Sequence, residues 1–285
     1  MMKARGVTWA VMMGSMLLAV TIAGCGGLEL QSHWRAQEIT IDGKPMDWEG
    51  VPTTYAESPN IAFRVLNDDS NMYVSMASPD DNVLGQIIDR GITVWFDPEG
   101  EMDKVFGIRW PGQPPGEAPG QRPDPASMRQ MMQDPSKMKQ RLLEMIDEPP
   151  DYLELVGPNE VIVARLPVTQ TQDIKMALGY QSGWFICELK VPLYKSDDHP
   201  YAVGAEPDKK IAMGFTTPEI DREAMMKAMR PEGGPPGDMN GGGEGGMGGS
   251  TRGGPPLAMA GGRRMMQPLE LWTKVALANQ ASTKH

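Results

Sequence analysis

The sequence predicts an all-β protein, an antiparallel β-sandwich of jelly-roll type. Three observations carry this: apolar residues recur at every second position in short runs, turn residues separate the runs, and long helical periodicity is scarce. The 285 residues suit one large domain or two small ones, and they are ample to bury a core without a metal or disulfide staple.

In chain order, Glu38 to Asp42 reads as a brief strand closed by the turn Asp42-Gly43. Ile61, Phe63 and Val65 alternate with Ala62 and Arg64, the run Asn67-Asp68-Asp69-Ser70-Asn71 turns the chain, and Met72, Val74 and Met76 alternate with Tyr73 and Ser75. That pattern is a hairpin. Asn82 to Arg90 holds one or two helical turns ended by Gly91. Ile92, Val94 and Phe96 then alternate with Thr93 and Trp95, and Val105 to Trp110 returns antiparallel after Asp97-Pro98-Glu99-Gly100. Further strands are expected at Tyr152 to Val156, Glu160 to Leu166, Trp184 to Val191, Lys210 to Thr216 and Leu269 to Leu277. So many short strands between turns favour two packed sheets over a helical or α/β body.

Two insertions interrupt the sandwich, which is expected to span 38–279. The first, 111–148, opens Pro- and Gly-rich and continues as a helix from Pro125 to Glu148, broken near Asp134-Pro135. Its Met138, Leu142, Met145 and Ile146 share one side and would cover an end of the sandwich. The second, 218–266, begins as a short helix to Arg230 and passes into 231–264, where 14 of 34 residues are glycine. Such a tract cannot bury enough apolar surface to offset its ordering entropy, so disorder is expected. A strand follows it, which makes it a loop inside the domain, and closure entropy grows only with the logarithm of loop length.

The amino terminus has the pattern of an export signal. A basic start, Met1 to Gly6, precedes an uncharged apolar run, Val7 to Ala23, of about 17 residues, at the lower limit for a bilayer span. The following Ile22-Ala23-Gly24-Cys25 resembles the bacterial lipobox. The resemblance implies a leader over 1–24, diacylglyceryl transfer to the Cys25 thiol and acylation of the new amino terminus. A tether over 25–37 would follow. Several acyl chains, at about 0.8 kcal/mol per buried methylene, make a stable membrane anchor. Gly26 after the cysteine is the enterobacterial pattern for outer-membrane delivery. The other reading is a retained signal anchor with an incidental cysteine. With Cys25 acylated, Cys187 is a lone thiol.

Charge and composition exclude several classes. Net charge is −10, and without Lys3 and Arg5 the remaining 25 basic and 37 acidic side chains leave −12. Phosphate binding needs clustered Lys and Arg, so no nucleic-acid partner is expected. Two cysteines exclude a disulfide scaffold, and three histidines argue against a His-based metal enzyme. No Ser-His-Asp order, zinc motif or phosphate loop is present, so no enzyme is expected.

The segment Ile39-Thr40-Ile41-Asp42-Gly43-Lys44-Pro45-Met46-Asp47-Trp48 resembles the opening of carbohydrate-binding module family 9, a member of the wider DOMON-like β-sandwich group. Similar pieces follow in order: Leu66-Asn67-Asp68 to Tyr73-Val74, Thr93 to Pro98, and Phe185 to Leu193. The resemblance implies a non-catalytic sandwich, often with sugar at one face; some DOMON relatives bind haem. Haem would need a Met and His pair, and with His33 in the tether and His285 at the terminus only His199 is left.

The same residues also read physically. Trp48 after a polar turn would plug an end of the sandwich, and Phe185, Cys187, Leu189 and Val191 share a core-facing strand side, with Cys187 a small hydrophobe. Sugars are held by aromatic faces and planar polar groups. Trp95 and Trp184 face away from the core pattern, and on one shared sheet they could form such a platform with Tyr73, Arg64 and Glu188. The alternative packs both tryptophans under the helical insertion. Asp97, Glu99, Glu101 and Asp103 space carboxylates at alternate positions, as calcium loops do, without the 12-residue EF-hand pattern. The 24 methionines include Met128, Met131 and Met132 in the first insertion and Met225, Met226, Met229, Met239, Met247, Met259, Met265 and Met266 in the second. Thioethers select Cu(I). The competing reading is adaptable apolar filler on short helices.

Overall fold

The period-two runs fold into two facing sheets. The computed structural model describes residues 28–112, 140, 143–144, 146–147, 150–170, 173–219 and 267–280. Its elements in chain order are β1 (Leu28–Gln31), β2 (His33–Trp34), β3 (Thr54–Ala56), β4 (Ile61–Asn67), β5 (Asn71–Ser78), α1 (Asp81–Arg90), β6 (Gly91–Asp97) and β7 (Phe106–Pro111). After them come β8 (Tyr152–Val156), β9 (Ile162–Pro167), β10 (Lys175–Gln181), β11 (Trp184–Pro192), β12 (Ile211–Thr216) and β13 (Glu270–Ala276). The first sheet runs β1-β13-β12-β6-β7-β8-β9; the second runs β10-β11-β5-β4-β2, with β3 also paired to β4. Neither described sheet closes on itself. The fold is the expected β-sandwich.

The core is what the alternation dictates. Ile92, Val94 and Phe96 of β6 face Phe63 and Val65 of β4 and Cys187 and Leu189 of β11 in one apolar cluster, and the rings of Phe63 and Phe215 lie 4.9 Å apart between the sheets. Cys187 is buried there as expected, and burial pushes its thiol far above the usual range. Helix α1 connects the two sheets. Its N-cap Asp80 accepts from Asn82 N–H, Gly91 ends it at φ +83°, and Val83, Leu84, Ile87 and Ile88 enter the core. Each such side chain contributes about 1.5–3 kcal/mol of burial.

The structure corrects several expectations. The supposed tether contains β1 and β2, which run parallel to β13 and β4, so the sheets are mixed rather than wholly antiparallel. Leu30 enters the core there, and buried Ser32 donates to Asn67 Oδ1 at 2.7 Å. Residues 38–42 form no strand; the short β3 pairs with β4 instead. Strand β10 was not expected, because its alternation is interrupted at Gly179. Glycine is required there, since the Gly43 carbonyl occupies the place of a Cβ.

Within the first insertion the described residues between 140 and 147 are helical, with Ile146 buried in the core and Leu143 packed against it. Met138, Leu142 and Met145 lie outside the described residues, as do the leader, Cys25, and the second insertion beyond residue 219. The two ends of that second insertion are tied together. Thr217 N–H donates to Leu269 O at 3.0 Å, and Leu269 N–H donates to Thr217 Oγ1 at 2.9 Å. Replacing 220–266 with a short Gly-Ser linker should therefore leave Tm unchanged or raise it by a few degrees, since each halving of a loop recovers about 0.6 kcal/mol. A fall of more than about 10 °C in a thermal melt would mean that the segment contributes to the body.

Candidate functional site

The outer face of the second sheet is built around a buried carboxylate. Successive residues of β4, β5 and β11 alternate between faces, which places Arg64, Ser75 and Glu188 in one outward row. Glu188 is fully buried, although it faces away from the core. Its Oε2 accepts from the backbone N–H groups of Asp42 at 3.0 Å and Gly43 at 2.9 Å, and its Oε1 accepts from Trp48 Nε1–H at 2.8 Å. Burial pushes this carboxyl up to about 7, against the three donors, which favour the charged form. Gly43 sits at φ +76° with its backbone directly on Leu178 and Gly179 of β10, an approach no side chain permits.

The segment 39–48, which carries those donors, covers one half of the face. Trp48, in a 3-10 turn over Pro45–Trp48, packs with Ile39, Leu66 and Tyr73. Trp48 is therefore a lid on the outer face and not the expected plug at the sandwich end. Tyr73 is buried beneath it, and its hydroxyl donates to Asp68 Oδ2 at 3.1 Å. Burial and the Asp68 charge push that phenol up to about 12, and the Arg35 guanidinium lies 5.1 Å above its ring.

The other half stays open as a groove of about 240 Å³. Its floor is the row Ala62, Ala77 and Ile186 on three adjacent strands. Tyr55 stands at one side, 60% exposed, and half-buried Trp184 at the other. Between Tyr55 and Ile186 lie three strand spacings, about 14 Å. Pro45 closes one margin, and Arg64, Ser75, Gln181 and Ser182 supply polar groups. Aromatic faces with planar amide and guanidinium donors are the equipment for stacking a sugar ring and bonding its hydroxyls.

The residues expected to form a platform are divided between places. Trp184 and Arg64 share the groove, whereas Tyr73 and Glu188 are buried supports beside it. Trp95 is displaced altogether, because β6 and β11 belong to different sheets. It is fully buried, its indole N–H donating to Thr216 Oγ1 at 2.9 Å and Lys104 lying 5.7 Å above its ring. Tyr55 and Gln181 did not emerge from the sequence. The dipeptide Ser182-Gly183, with φ +52° and +86°, is the hairpin signal that places Gln181 beside Trp184.

The acidic turn is organised by Asp97. Asp97 is buried, and its carboxylate accepts from the backbone N–H groups of Glu99, Glu101 and Asp103 at 3.0, 2.7 and 3.2 Å. Its oxygens shape the turn. Glu99 pairs with Lys209 at 3.2 Å. Among the described residues no group of three or more His, Cys, Asp or Glu side chains is placed to hold a metal ion. The methionines proposed for Cu(I) lie outside the described residues.

No protein-family profile and no curated protein matches the chain. Among solved structures, it resembles a carbohydrate binding module family 9 (CBM9) from Caldicellulosiruptor kristjanssonii in complex with glucose, at 12% identity and TM-score 0.31, covering 69% of this chain and 81% of that one. A second structure of such a module from the same organism, in complex with cellotriose, gives 13% identity and TM-score 0.30, covering 69% and 78%. Likeness this distant carries no argument about the site, which rests on its own geometry.

Glu188 yields a pH test with a definite sign. Its folded pKa of about 7 exceeds the ordinary 4.5, so the folded state binds more protons between these values. The stability it contributes is fully present below about 4.5 and is lost as pH rises to about 7. Glu188→Gln removes the titration and turns an amide N–H toward N–H donors, costing about 1–3 kcal/mol at pH 8. The gap between wild type and variant should widen as pH falls from about 7 to about 4.5. A constant or narrowing gap in urea denaturation would refute the assignment.

Proposed function

We propose that this chain is a non-catalytic carbohydrate-binding protein, exported and held at the bacterial cell envelope by acyl chains on Cys25, with the outer membrane as its destination. The observation that carries the binding role is the groove, where Tyr55 and Trp184 flank a floor of Ala62, Ala77 and Ile186 with amide, hydroxyl and guanidinium groups at its margins. The described lining contains no Asp, Glu, His or Cys, so it offers neither a general acid nor a nucleophilic carboxylate for glycoside cleavage. Binding without turnover is the chemistry these residues support. The anchor rests on the lipobox-like Ile22-Ala23-Gly24-Cys25 and the apolar run before it.

Titration of the purified chain against a panel of mono- and oligosaccharides tests the groove. Tyr55→Ala and Trp184→Ala should each weaken binding about tenfold, the worth of one aromatic stack. Trp95→Phe should leave it unchanged, since Trp95 lies on the other sheet. Binding indifferent to both groove substitutions would remove the proposal. The anchor is tested separately: in a bacterial host, labelled fatty acid should enter the wild type and not Cys25→Ser. Mass spectrometry showing an intact leader and an unmodified thiol on the wild type would overturn it.

A further inference from the structure

We infer that the groove selects an acidic sugar, with Arg64 pairing to the carboxylate of a uronic acid; this rests on the carbohydrate reading above and narrows it. Arg64 is the only charged residue in the described lining, and it is a cation in a chain of net charge −10. In so acidic a protein a guanidinium ordinarily has a carboxylate beside it. Arg35, Arg109 and Arg165 all do, pairing with Asp68, Glu154 or Glu160.

Arg64 does not. Its Nε–H donates to Thr53 Oγ1 at 2.9 Å, which fixes the plane of the guanidinium, and its two terminal amino groups take no partner among the described residues. The nearest acid in its row is Glu188, one strand beyond Ser75, and that carboxylate is already engaged by Asp42, Gly43 and Trp48. Among the described residues the site therefore presents an oriented N–H fork without a partner, beside two aromatic side chains. A planar carboxylate matches such a fork with two parallel bonds, and a sugar carries that carboxylate on a ring that the aromatics can stack. A neutral sugar fills the same groove and leaves the charge uncompensated.

The test uses matched glycosides that differ only in oxidation at C6. Methyl glucuronide and methyl glucoside, with the galacto and manno pairs, are titrated into the full chain by NMR at about 50 and about 500 mM salt. The uronide of at least one pair should bind roughly 10- to 100-fold tighter than its neutral partner, with the margin shrinking at high salt. Arg64→Gln should bring the two ligands level, and Arg64→Lys, which keeps the charge without the fork, should fall between. Neutral glycosides binding as tightly as uronides to the wild type would overturn the inference and leave the sugar groove standing, and this comparison needs no variant to fold. A uronide preference unchanged by Arg64→Gln would also overturn it. Absence of binding by any glycoside would bring down the groove reading with it.

Discussion

The second sheet depends on one carboxylate that has been taken out of water. Glu188 projects from the side of β11 opposite the core, where a glutamate is ordinarily solvated, yet it is fully buried. Its desolvation is offset by three N–H donors, two from the turn at Asp42-Gly43 and one from the indole of Trp48. Those donors belong to a segment with no strand of its own to hold it. The carboxylate therefore does the work of a ladder. It fixes Gly43 on β10, sets Trp48 over Leu66 and Tyr73, and so places Pro45 at the margin of the groove. A small or apolar residue at 188 would leave the buried Gly43 amide and the Trp48 indole N–H without that acceptor, the costly side of the hydrogen-bond asymmetry.

The outer faces of the two sheets are solved differently, and the difference decides where a ligand can sit. On the first sheet the tryptophans lie against glycines: a Cβ at Gly107 would come within 2.8 Å of the Trp95 ring, and one at Gly214 within 2.8 Å of the Trp272 ring. Trp272, Gly214, Trp95 and Gly107 form one transverse row across four strands. The rings fill the space left by the missing side chains, and the next row carries charge. There Arg109 donates to Thr93 and approaches Glu154 and Glu160, while Arg165 holds Glu154 from the other side. Thr93, Glu154 and both of those arginines thus have partners on that face. The second sheet differs, with alanines in the row that an aromatic could have covered and an arginine whose end takes no partner among the described residues.

Much of the fold was legible because alternation is local. The hairpin of β4 and β5, the pair β6 and β7, and strands β8, β11, β12 and β13 follow from apolar residues at every second position bounded by turns. What escaped was set by tertiary context. Leu28–Gln31 is too short to show a period and becomes a strand because β13 offers an open edge. Lys175–Gln181 loses its pattern at Gly179, a residue chosen by the turn resting on it. The site divided along the same line. Trp184 and Arg64 could be placed on an outward strand face from parity alone. Joining Trp95 to Trp184 required knowing which sheet each strand entered, and parity within a strand carries no such information. Tyr55 sits on a strand of three residues, below the length at which alternation means anything.

The groove's position follows from how far the covering segment reaches. Three outward rows cross β4, β5 and β11. Leu66 and Tyr73 in the first are sealed by Trp48 and Ile39. Arg64, Ser75 and Glu188 form the boundary, with the glutamate turned under the segment and the arginine left at its margin. Ala62, Ala77 and Ile186 lie beyond it, where the segment no longer runs. Small side chains there are a poor choice for a face meant to be sheathed by protein, since alanine offers little area to a cover. They are a good choice for a floor on which a flat molecule lies between Tyr55 and Trp184. The same row of alanines that weakens the case for a protein lid strengthens the case for a thin, polar, ring-shaped occupant.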